Sequence, residues 1–95
     1  MASGDIWTNV KNSQVISTSR VVINCIMLTP TGGNADCTIY DGESASDPEI
    51  SCLQTLQYLT FLWNLDPPLE TQRGLYIALG SNVDNVLVSY RILQD

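Results

Sequence analysis

The 95-residue chain has no histidine, and only four of its residues are lysine or arginine. The first absence removes the Ser-His-Asp and Cys-His pairs on which much side-chain nucleophilic catalysis depends. The second argues against nucleic-acid phosphate as a partner, which needs clustered cations. Here Lys11, Arg20, Arg73 and Arg91 are scattered, and an anionic membrane surface is disfavoured on the same ground. The net charge of −6 reads as a solubility device. Long apolar runs are missing too. The longest, Val21 to Leu28, is interrupted by Asn24 and is far too short to span a bilayer. The opening MASGDIWTN has neither the basic nor the apolar region of a secretory leader, so none is expected, and no lipidation motif stands out.

Cysteine is scarce and badly spaced for a site. Cys25, Cys37 and Cys52 form no Cys-x-x-Cys clip, which argues against zinc. Their odd number argues against a disulfide framework, and all three are expected as free, buried, small hydrophobes of a chain made in a reducing cytosol. Gly32-Gly33 lacks the lysine and helix that complete a phosphate loop. Asp36, Asp41, Glu43, Asp47 and Glu49 crowd five carboxylates into one stretch. Their spacing matches no standard calcium loop, and a solvated loop is the expectation. No catalytic residue, metal ligand or cofactor follows from the sequence, and the chain is expected not to be an enzyme.

What is present is strand signal. The composition, 44% hydrophobic and 15% charged, is that of one globular domain. Alternating or β-branched runs fall at 13–18, 20–29, 35–40, 73–80 and 85–93, with turn residues between them. The 20–29 run, RVVINCIMLT, is apolar on both faces, so it should be central or covered on both sides. Val22, Asn24, Ile26 and Leu28 share one face of it, and Val21, Ile23, Cys25 and Met27 the other. Residues 50–65 fit a helix stripe or two strands. The aromatics, the threonines and the lack of charge from Ser51 to Leu65 favour two strands with a break near Gln57. Asp66-Pro67-Pro68 then predicts a loop.

The expected fold is all-β, a single antiparallel β-sandwich or barrel of six to eight short strands. Residues 1–12 are expected as an N-terminal arm or short first strand, and residues 13–95 as the sandwich domain. The predicted core is Val22, Ile26, Leu28, Ile39, Phe61, Trp63, Leu75, Ile77, Val86 and Val88. The predicted contact residues are Ile6 and Trp7 on the arm, then Tyr40 and Tyr58. Packing of the tyrosines across strands is the competing reading.

One ordered series stands out: VVINCIMLTP at 21–30, TIYDG at 38–42, GLYIAL at 74–79 and VLVSY at 86–90. Over residues 17–90 this series resembles small virion-associated β-proteins of tailed bacteriophages. The resemblance implies a structural protein of the particle, first a head decoration or cement protein bound to the major capsid protein. A neck, tail or fibre accessory is the next place it implies. It also implies a homo-oligomer, by analogy a trimer, made in the bacterial host cytoplasm and carried in the virion. The chain departs from that pattern in a more polar N-terminal extension and a leucine-rich 50–65 segment, so no binding residue is carried over. A glycan- or receptor-binding sandwich is the alternative.

Overall fold

The computed structural model describes residues 6–93. They form eight strands: β1 (Ile6–Val10), β2 (Gln14–Ser17), β3 (Val21–Pro30), β4 (Ala35–Tyr40), β5 (Glu49–Thr55), β6 (Phe61–Glu70), β7 (Leu75–Leu79) and β8 (Val83–Ile92). Two four-stranded sheets result, ordered β1-β8-β3-β6 and β2-β7-β4-β5, and every ladder is antiparallel. The pairings nest. The β4–β5 hairpin lies innermost, β3 pairs with β6, β2 with β7, and β1 with β8. This is the winding of a double-sheet jelly roll, within the expected β-sandwich class.

The first sheet reads as ordered rows. On its inner face run Ile6–Tyr90–Ile23–Leu69, Thr8–Val88–Ile26–Trp63 and Val10–Val86–Leu28–Phe61. The central members of these rows are buried and meet Cys37, Ile39, Leu75 and Ile77 of the second sheet in one core. Seven of the ten predicted core residues have no exposed surface: Ile26, Leu28, Ile39, Leu75, Ile77, Val86 and Val88. The other three need correction. Phe61 and Trp63 do fall in inner rows, but β6 is an edge strand and leaves them at the rim of the sandwich, Phe61 exposed and Trp63 partly buried.

Val22 fails for a different reason. The ladders slip between Ile23 and Cys25, so Asn24 is an extra residue in β3. Such a bulge shifts the strand's phase by one. Val21 and Ile23 point inward before it, Ile26 and Leu28 after it, and Val22 is left on the outer face. Strict alternation cannot place both halves of this strand at once. The Asn24 side-chain nitrogen is buried at the bulge without a hydrogen-bond partner among the described residues.

The expected loop at Asp66-Pro67-Pro68 lies inside β6 instead. Opposite the bulge, residues 65–68 separate the Asn64↔Cys25 pair from the Leu69↔Ile23 pair. The prolines therefore occupy an interruption of the ladder on an edge strand, where missing N–H donors are tolerated; the Asp66–Pro67 peptide is cis. Beyond β6, Thr71 finishes the ladder with its side chain. Its N–H donates to Val21 O (2.9 Å), and the Val21 N–H donates to Thr71 Oγ1 (3.0 Å). Replacing Thr71, which is almost fully buried, with valine is expected to strand that donor and cost about 1–3 kcal/mol in a urea melt.

Of the expected arm, residues 1–5 lie outside the described residues. Residues 6–10 are a strand, paired in continuous register with β8 from Ile6↔Tyr90 to Val10↔Val86. Val10 is completely buried, which ties this strand into the core.

Candidate functional site

The outer face of the β1-β8-β3-β6 sheet carries two rows that mirror the inner ones. They are Trp7–Ser89–Cys25–Asn64 and Asn9–Leu87–Met27–Leu62. Asn85 continues the surface toward the strand ends and donates to Asn9 Oδ1 at 2.7 Å. None of these nine side chains is charged, in a chain with 14 charged residues. Charge appears at one end of the face, where Val22 lies between Arg91 and Glu70, and Arg20 pairs with Glu70. Trp7 is 68% exposed and Leu62 56% exposed, while Cys25, Met27 and Leu87 are half-buried.

From Leu62 the apolar surface runs back along the chain into the turn between β5 and β6. Leu56, Tyr58 and Leu59 are all strongly exposed there, Tyr58 at 86%. The turn is held from within. Leu59 N–H donates to Leu56 O (3.1 Å), the Thr55 hydroxyl donates to Leu59 O, and Gln57 reaches back to Asn34 and Gly32. Tyr58 sits at φ 65°, a backbone region that bulky residues rarely occupy. A large aromatic side chain is thus presented to solvent by a fixed turn.

The four predicted contact residues are not brought together. Trp7 projects from the outer face of the first sheet, while Ile6 lies in an inner row and is exposed only at the sandwich edge. Tyr58 lies in the turn that leads into β6, the edge strand farthest from β1. Tyr40 is on the second sheet, half-buried opposite Tyr76, with ring centroids 6.0 Å apart and planes tilted by 50°. That is the cross-strand packing arrangement. Residues overlooked by sequence reasoning are Leu62, Met27 and Leu87. The signals for them were the charge-free run 51–65 and the two-faced apolar strand 20–29.

The carboxylates of 36–49 act mainly as loop fasteners. Asp41 accepts the backbone N–H groups of Gln72 (2.9 Å), Arg73 (2.8 Å) and Gly74 (3.3 Å). It thereby binds the TIYDG turn to the start of the GLYIAL strand. Their strands are neighbours, with Tyr40 opposite Tyr76 and Ile39 opposite Ile77. Gly74 is required at this junction, since a Cβ there would come within 2.6 Å of Ser17 O. Asp47 accepts the Glu43 N–H (2.7 Å) and lies 3.6 Å from the Arg73 guanidinium. Asp36 accepts the Ser81 N–H at 3.1 Å. Among the described residues no group of three or more His, Cys, Asp or Glu side chains is placed to hold a metal ion.

Partial burial alone would raise the Asp41 carboxyl pKa, but the three N–H donors and the Arg73 charge outweigh it and lower the value. Ionised Asp41 is therefore favoured in the folded state. Its stabilisation is complete above the unfolded carboxyl value of about 3.9 and is lost as pH falls through the lower folded value. Asp41→Asn is expected to lower stability at pH 7. The gap between variant and wild type should narrow in urea melts as pH falls below the ordinary carboxyl value, because other carboxyl groups titrate alike in both proteins. A gap independent of pH would show that the Asp41 charge contributes nothing.

The three thiols are free and differ in environment. Cys37 is fully buried, and burial first, then Cys52 and Asp36, push its thiol up to about 12. Cys25 is half-buried on the outer face, and Cys52, contrary to the expectation of burial, is exposed on edge strand β5. A shallow pocket of about 500 Å³ opens where β4 begins and β5 ends, lined by Asn34, Asp36, Gln54, Thr55 and Leu56 among others.

No protein-family model, curated protein or solved structure matches the chain. The TIYDG and GLYIAL motifs form one fastened unit of the second sheet.

Proposed function

We propose that this chain is a non-enzymatic structural protein of a tailed-phage particle, seated on the head shell as a decoration protein through the outer face of the β1-β8-β3-β6 sheet. The observation that carries the reading is the uncharged, partly apolar double row Trp7–Ser89–Cys25–Asn64 and Asn9–Leu87–Met27–Leu62. An exposed sheet face of this kind suits protein contact more than solvent. Double-sheet jelly rolls serve in viral capsids, and equally in lectins, so the fold is compatible with the role and does not select it. The Leu56–Leu62 turn extends the same apolar surface past the sheet edge.

The test is placement in the particle. Phage from the source lysate is disrupted, heads and tails are separated on a gradient, and the chain is quantified in each by mass spectrometry. Stoichiometric recovery with heads is expected. Recovery with tails would move the protein to a neck, tail or fibre position, and absence from both fractions would overturn the reading.

A second reading draws on the pocket between β4 and β5, where Asn34, Asp36 and Gln54 offer polar groups beside exposed Leu56. A glycan would suit that mixture. A rise in melting temperature with added sugars would favour it.

A further inference from the structure

We infer that β1 is a pairing edge for a second copy of this chain, joining two first sheets into one continuous eight-stranded sheet. Four strands end the two sheets: β1, β6, β2 and β5. An open edge presents unpaired N–H and C=O groups and is completed most directly by another strand. Three of the four edges discourage an identical chain. Edge β6 carries Pro67 and Pro68 and a broken register. Edge β2 is four residues long, with a shift between Val15 and Ser17. Edge β5 carries a charged residue, Glu49, and an irregular register at that end, where its pairing with β4 shifts between Ile39 and Tyr40.

Edge β1 has none of these defences. Its sequence IWTNV contains no charge and no proline, and its register with β8 is unbroken over five pairs. Among the described residues no strand pairs with its outer side. For a chain of net charge −6, self-association has to use a surface free of like-charge repulsion. Antiparallel pairing of β1 with itself is isologous, so each strand meets the same uncharged sequence in reverse. Exposed Trp7 would then lie over the partner's strand. The free edge favours this two-fold pairing over the trimer implied by the phage resemblance. Five residues of strand bury less than the roughly 800 Å² per partner of a standard stable interface, so the dimer is a weak one.

Sedimentation equilibrium over a wide concentration range tests the inference. A mass rising from the 10.4 kDa monomer toward twice that value is expected by concentrations on the order of 100 μM. Trp7→Lys and, independently, Asn9→Asp should each shift the midpoint to at least about tenfold higher concentration, with an unchanged far-UV spectrum. Val15→Lys on edge β2 and Leu62→Lys on the far side of the first sheet should leave self-association as it is. A monomer at every loading, a trimer, or a dimer indifferent to both β1 variants overturns the inference. The head-fraction measurement is separate, since a chain that stays monomeric can still be recovered with heads.

Discussion

Ile77→Ala is expected to destabilise the protein by about 2–5 kcal/mol, the usual range for truncating a buried isoleucine to alanine. Ile77 has no exposed surface and lies on β7, opposite Ile39 of β4 on one side and Gln14 of β2 on the other. Its side chain belongs to the one core shared with Ile23, Ile26, Val86 and Val88 of the facing sheet. A small domain has little to spare. Domains of this kind hold a net stability of about 5–15 kcal/mol, so the variant gives up a large share of it. Collapse of the neighbours into the vacated space would bring the cost toward the lower end. A urea titration monitored by tryptophan fluorescence measures it. A midpoint within error of wild type would mean that the two sheets do not close over Ile77 as described.

Ile77 was legible in the sequence because its strand obeys a simple rule. Leu75, Ile77 and Leu79 alternate with Tyr76 and Ala78 on a short, regular strand. The same rule placed β4 to the residue, over Ala35–Tyr40. It failed on β3, where one extra residue at Asn24 reverses the phase halfway along. A bulge is a relation between strands, and a single run of residues does not encode which partner will skip. The prolines of β6 misled for a related reason. Pro67 and Pro68 do leave the ladder, yet the strand resumes at Leu69 because the edge position spares it a second partner.

The candidate site was legible only in fragments. Trp7 and Tyr58 were identified as large aromatics on polar or uncharged segments, and both are strongly exposed. Leu62, Met27 and Leu87 were not, since each looks like ordinary core in its own strand. They become a surface only when β6, β3 and β8 lie side by side with their inner partners Trp63, Ile26 and Val88 turned the other way. Nested pairing of distant strands creates that row; the charge-free run 51–65 and the two-faced strand 20–29 hint at separate members and not at their alignment.

Leu62→Lys is the variant expected to separate binding from folding most sharply. Leu62 is more than half exposed on an edge strand, so lysine there can keep its charge in water and leave the fold intact. In the proposed seat on the shell, the same charge would be buried at the end of the Asn9–Leu87–Met27–Leu62 row. An unpaired charge in an interface core costs as much as losing a hot spot, about 2 kcal/mol or more, or roughly thirtyfold in affinity. Heads stripped of the chain should rebind wild type and fail to retain Leu62→Lys at matched concentration. Cys25, one row away on β3, supplies an internal control. Its alkylation should be slowed on heads and unhindered in the free protein, while Cys52 on the second sheet reacts in both. Rebinding of Leu62→Lys at wild-type strength, with Cys25 still open to reagent, would move the contact off this face. The exposed aromatic turn at Tyr58 would then be the next surface to test.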